Sequence, residues 1–207
     1  MQPDFDQEKL SEVLELAPAL HLDADGEPTS WAIGRDVLEY LGNTVGKNSV
    51  TMETGAGMTT VIFALLGCRH RSIAPSEYEF ERIREFCSDH SISLARTEFV
   101  VKRSEDVLPH LPHDPHLDLF LIDGRHAFPS PYIDWYYGAA LLKVGGLVVV
   151  DDTQIETGAV LRDFMTEDHH WQIDRVFDKT AVFRLLNAGF HTVEWNQQPY
   201  ITNRMPE

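Results

Sequence analysis

Glu53-Thr54-Gly55-Ala56-Gly57-Met58-Thr59-Thr60 stands between the β-prone run Ser49-Val50-Thr51-Met52 and the helix-prone run Val61-Ile62-Phe63-Ala64-Leu65-Leu66. The order reads as a strand, a glycine turn and a helix. Glycine at 55 and 57 permits positive φ and leaves no Cβ to hold a ligand off the backbone, while the helix start offers free N–H groups and the positive end of a dipole. A nucleotide-like ligand suits such a turn. A dinucleotide fingerprint wants a third glycine where the first helical turn packs on the strand, and Thr60 stands there, which argues against NAD. Glu53, just before the glycines, suits instead a ligand that carries a positively charged amino group.

Outward from this turn, strands and helices alternate, which implies crossover connections and a mostly parallel sheet covered on both faces. Strands are expected at 71–73, 98–102, 117–122, 147–150, 171–176 and 181–185. One helix opens at Ser76 with a capping box completed by Glu79. Another opens at Ser130-Pro131 and runs through Trp135 and Leu142 to stop at Gly145-Gly146; a third covers 160–165. Asp178-Lys179 reads as a hairpin turn that makes the last two strands antiparallel neighbours. Before the turn, Trp31, Ile33, Val37, Leu38 and Leu41 predict a helix over 31–41 capped by Ser30. The fold class is therefore α/β: a Rossmann-like, doubly wound, mostly parallel sheet with an antiparallel C-terminal strand. Residues 31–186 carry it, residues 1–30 form an acidic extension with a short helix at 7–16, and residues 187–207 read as a polar tail.

The 207 residues suit one domain, and a 43% hydrophobic content is ordinary for a globular core. The longest apolar runs are too short to span a bilayer, and Met1-Gln2-Pro3-Asp4 lacks the basic-then-apolar order of an export signal. The expectation is a soluble, cytoplasmic protein with no membrane partner. A formal net charge of −16, with 17 Lys and Arg that form no basic tract, speaks against nucleic acid as a partner. Cys68 and Cys87 fit no metal spacing or disulfide framework and read as reduced thiols. Self-association into a homo-oligomer is compatible with the sequence.

A second constellation joins Leu119-Phe120-Leu121-Ile122-Asp123-Gly124-Arg125-His126 to Leu147-Val148-Val149-Val150-Asp151-Asp152-Thr153. Both place acids just past the carboxyl end of a buried strand, where open α/β sheets bind ligands. If the two strands are neighbours, Asp123, Asp151 and Asp152 converge. Crowded carboxylates raise each other's pKa unless a cation sits among them, and a hard oxygen-seeking ion such as Mg²⁺ answers that problem. Equally, Asp151 and Asp152 can cap the next helix while Asp123 braces the turn at Gly124.

The pattern Glu-x-Gly-x-Gly-x-x-Thr resembles the first motif of class I S-adenosylmethionine-dependent methyltransferases. Together with Ile-Asp-Gly-x-His, Lys-x-Gly-Gly and Asp-Asp-Thr, it resembles the family that includes the macrolide and aminocoumarin sugar O-methyltransferases, over roughly residues 31–186. The resemblance implies the class I methyltransferase fold, with S-adenosylmethionine cradled by Glu53, Gly55, Ala56, Gly57, Thr59 and Thr60. It implies contacts to the adenine near Ser104, Glu105 and Asp106, contact of Asp123 with the cofactor, and Mg²⁺ held by Asp123, Asp151 and Asp152.

Two positions depart from that pattern. Ala74 stands where the family has an acid for the ribose hydroxyls, which leaves Ser76 or Glu77 to reach them. Arg125 stands where the sugar methyltransferases have an acid as general base, and an arginine takes no proton at neutral pH. His126 is then the substitute base, beside Asp123; alternatively its ring bonds strand-end carbonyls. Trp135, Tyr136 and Tyr137 either line an acceptor pocket or pack into the core. The reaction expected is in-line methyl transfer to a hydroxyl-bearing small molecule, with Mg²⁺ assistance. The competing expectation, suggested by Ala74 and Arg125, is a methyltransferase-like module that has lost its cofactor and serves binding or assembly.

Overall fold

The computed structural model describes residues 7–22, 25–29 and 33–205; the cap expected at Ser30 and the contribution of Trp31 lie outside the described residues. In chain order the elements are α1 (Gln7–Glu15), a small hairpin of β1 (His21–Leu22) and β2 (Pro28–Thr29), α2 (Arg35–Thr44), β3 (Val50–Thr54), α3 (Met58–Leu65), β4 (Arg69–Ala74), α4 (Glu77–Asp89), β5 (Thr97–Val101), β6 (Leu117–Ile122), α5 (Ser130–Gly138), β7 (Leu142–Val150), α6 (Glu156–Glu167), β8 (Trp171–Val176), β9 (Ala181–Leu185) and α7 (Pro199–Thr202). The main sheet has seven strands in the order β5-β4-β3-β6-β7-β9-β8. The first five run parallel, and β9 is antiparallel to both β7 and β8. This is the doubly wound α/β fold that the alternation of patterns predicts.

Strand alternation decides what each face buries. Leu119, Leu121, Leu147 and Val149 point into one layer with α1 to α4, while Phe120, Ile122, Val148 and Val150 point into the other with α5 and α6. Each such side chain, wholly removed from water, contributes roughly 1.5–3 kcal/mol. From Met58 to Ala64 every residue of α3 is buried, so the helix after the glycine turn is held on all sides. The sheet reverses its winding at β3, which has β4 on one side and β6 on the other, and the carboxyl ends of these strands open a crevice there.

Several boundaries differ from the sequence reading, among them the helix expected over 31–41, which is α2 and begins at Arg35 after Gly34. The helix expected to reach Leu142 ends at Gly138, because Leu142 already pairs with Leu117; Gly145, at φ +88°, lies inside β7 where the register against β6 shifts. Ser130 is the first residue of α5, not its cap. The stretch read as a polar tail supplies Phe190 to the core, its ring centroid 4.9 Å from those of both Trp135 and Trp171.

Candidate active site

Glu53 ends up beneath the glycine turn. It is 1% exposed; Thr59 donates its hydroxyl to Oε2 at 2.5 Å, Thr60 donates to Oε1, and Nε2 of His70 lies 3.1 Å from Oε1. The Thr60 hydroxyl also accepts from the Gly57 N–H at 3.2 Å. Thr60 therefore ties the turn to the carboxylate below it, at the position where a dinucleotide site would need glycine. Glu53 and Thr60 were expected to face the ligand; neither lines the cavity, because these bonds consume their polar atoms. Gly55, at φ +94°, donates its N–H to Ile73 O at 2.9 Å, and a Cβ on it would lie 2.1 Å from the Asp123 carbonyl oxygen. Only glycine lets the loop after β6 pass over the turn.

Above the turn is a cavity of about 860 Å³, within the range of small-molecule sites. The glycine turn, Thr59, Ser104, Glu105, Asp123, His126, Asp152 and Lys179 all line it. Gly57 leaves its face open, since a Cβ there would meet only the His21 ring at 3.5 Å. Ser76 does not reach the cavity: its hydroxyl accepts from the Glu79 N–H at 3.4 Å as the cap of α4. Glu77 pairs with Arg84 at 2.7 Å on the surface. The capping box is thus half made, and the freed Glu79 carboxylate turns into the cavity, 3.4 Å from His21 Nδ1. Trp135 is core, while Tyr136 and Tyr137 do not line the cavity.

Pairing of β6 with β7 brings the three aspartates to one end of the sheet as expected, but not as one cluster. Ligand atoms of Asp123, His126 and Asp152 lie within 4.8 Å of one another. Asp151 is excluded, being buried and turned so that Thr180 donates to its Oδ1. His126 Nε2 lies 2.9 Å from Asp152 Oδ2, and Gln154 donates to Asp152 Oδ1 at 2.7 Å. Lys179 Nζ lies 3.3 Å from Asp152 Oδ1 and 3.6 Å from Asp151 Oδ2.

The titration of these groups follows. Burial, and then the charges of Asp151, Glu53 and Asp152, push the Asp123 carboxyl well above its ordinary value. Burial also raises Asp151, against the Thr180 hydroxyl and Lys179. The hydrogen bond from His126 holds Asp152 below the usual carboxylate range despite its partial burial. Burial alone would lower Lys179, yet Asp151, Asp152 and Asp123 together carry it above the ordinary lysine value.

Residues 52–153, from the glycine strand through the Asp-Asp-Thr run, match the family model described as a methyltransferase domain. Over that stretch, just under half of its length, the chain is similar to that family. It is 30% identical over 133 residues to a protein of Mycobacteroides abscessus named as an O-methyltransferase, a match that takes in 62% of this chain and 60% of that protein's length. Among solved structures, the cofactor-bound Rv0187 from MTB is 20% identical with a TM-score of 0.66 over 88% of this chain and 92% of that one. The O-methyltransferase TomG from Streptomyces achromogenes, solved with SAM, is 16% identical with a TM-score of 0.63 over 88% and 91%. At such identities these structures are alike in fold.

Sequence reasoning missed Glu79 and Lys179, which line the cavity, and His70, which braces Glu53. The Ser76 cap was a signal for Glu79, because an acid at the third helical position is free to turn inward when it does not close the box. Nothing in sequence spacing pairs His70 with Glu53 or sets Lys179 beside Asp152.

Proposed function

We propose that the chain transfers a methyl group from S-adenosylmethionine to a hydroxyl oxygen of a small molecule. The observation that carries this reading is one continuous cavity running from the glycine turn at 55–57 to the His126–Asp152 pair. The open face of Gly57 and the inward carboxylate of Glu79 fit an adenosyl ligand. The family relationship supports the same chemistry: the curated relative is named as an O-methyltransferase, and TomG was solved with SAM.

When bound, the cofactor supplies an electrophilic methyl on a sulfonium, so the protein needs to position two reactants and improve the nucleophile. Glu79 would take the part of the ribose-binding acid that Ala74 cannot play, and Ser104 and Glu105, which line the same cavity, would hold the adenine. His126 is the base. A carboxylate only accepts hydrogen bonds, so Asp152 fixes the ring with its proton on Nε2 and leaves Nδ1 to receive the proton of the substrate hydroxyl. The negative charge of Asp152 also favours the imidazolium that results. Thr157 donates to the His126 carbonyl at 2.6 Å and anchors the loop that presents the ring.

The Mg²⁺ that the resemblance implies does not fit this donor set. Asp151 is turned away, an imidazole takes its place, and a lysine ammonium already contacts two of the acids; Mg²⁺ wants near-octahedral oxygen ligands.

Calorimetric titration of the full chain with S-adenosylmethionine and S-adenosylhomocysteine tests the proposal. One saturable site is expected, weakened about tenfold by Glu79→Ala through loss of a charged hydrogen-bond acceptor. Flat titrations with both ligands would favour the non-catalytic module instead.

A further inference from the structure

We propose that Lys179 is a tethered cation occupying the electrostatic role of a divalent ion in this site, so that the methyl transfer proposed above, on which this inference rests, proceeds without metal. The β8–β9 hairpin delivers the lysine by backbone pairing. Val150 is in register with Ala181, Lys179 O accepts from the Thr153 N–H at 2.8 Å, and Thr180 O accepts from the Phe177 N–H at 2.8 Å. The carbonyls and N–H groups around the turn thus hold the Lys179 main chain beside the last residues of β7, from where its ammonium reaches the acids.

Its charge is placed between the acids. Nζ reaches Asp152 Oδ1 at 3.3 Å and Asp151 Oδ2 at 3.6 Å, and the buried Asp151 Oδ2 has no hydrogen-bond partner, so this ion pair is its compensation. The remaining oxygens of the pair are committed: Asp151 Oδ1 to Thr180, Asp152 Oδ2 to His126, and Asp152 Oδ1 also to Gln154. A divalent ion entering here would have to displace His126 from Asp152 and sit against an ammonium. Two like charges at such range oppose each other. Lys179 also lines the cavity together with His126, so its positive field falls where an acceptor oxygen gains negative charge.

The test is a titration of Mn²⁺ and Mg²⁺ into the full chain, read by calorimetry and by the Mn²⁺ paramagnetic signal, needing neither cofactor nor acceptor. Wild type should show no saturable site up to millimolar metal. Lys179→Met and Lys179→Gln, each checked for an intact thermal transition, should gain Mn²⁺ affinity by at least tenfold, lost again when Asp152→Asn is added; Lys179→Arg should remain blind to metal. Saturable binding to wild type that Asp152→Asn weakens tenfold would overturn the proposal, and so would Lys179 variants that fold and still bind nothing. The wild-type result stands even if a variant fails to fold. Absence of cofactor binding alongside the expected metal results would remove the methyltransferase reading and leave the assignment of Lys179 as counter-ion in place.

Discussion

Glu53 lies beneath the turn and outside the cavity lining. Thr59, Thr60 and His70 all direct polar atoms at a carboxylate that is almost wholly buried, so truncation strands three groups at once. Glu53→Ala is expected to lower unfolding free energy on the order of 3 kcal/mol by urea denaturation, because each orphaned buried donor keeps its desolvation cost; a loss below about 0.5 kcal/mol would show the network to be dispensable. The acid before the glycines was legible in the sequence, and its direction was not. That direction depends on β4 setting His70 opposite Thr51, whose hydroxyl lies 2.9 Å from Nδ1, a register no local motif encodes. Asp151 and Asp152 differ likewise: Asp152 sits at φ +52°, and although the two carboxylates share Lys179, one otherwise faces Thr180 and the other His126 and Gln154.

At the scale of elements, α5 carries a costly feature of its own in Asp134. Its buried carboxylate closes no hydrogen bond of good geometry, and burial pushes the group up to about 6, only partly offset by the nearby Ser104 and Thr54 hydroxyls. A folded-state pKa above the unfolded one means that the native state holds the extra proton. Stability from this group is thus complete below about pH 4 and declines as pH rises through about 6. The decline is on the order of 3 kcal/mol. Asp134→Asn should abolish that part of the slope, so urea unfolding of the two proteins between pH 4 and 7 should diverge with rising pH; parallel curves would contradict the assignment. The strand cores were readable because 119–122 and 147–150 are apolar at every position, as a sheet buried on both faces demands. The start of β7 was hidden, since Gly145 and Gly146 resemble a helix stop unless the pairing of Leu142 with Leu117 is known.

For the whole molecule, the order β5-β4-β3-β6-β7-β9-β8 turns four separate sequence signals into one cavity: the glycine turn, the acid after β6, the second acid of the pair after β7 and the hairpin after β8. The first three were legible because each follows a strand end. The fourth was not, because Asp178-Lys179 reads as an ordinary turn until β9 inserts beside β7. The N-terminal segment joins the same cavity through His21 and Ile33, and acceptor choice on such folds resides in elements of this kind. Both thiols lie outside the chemistry: Cys68 and Cys87 are buried, and burial pushes them up to about 12 and about 11.

The most direct measurement is a crystal structure of the full chain grown with S-adenosylhomocysteine. The account predicts an adenosyl group over the turn at 55–57, its ribose hydroxyls against Glu79 and its sulfur turned toward His126. Electron density for the ligand elsewhere, or a cavity filled by the protein's own side chains under saturating ligand, would contradict it.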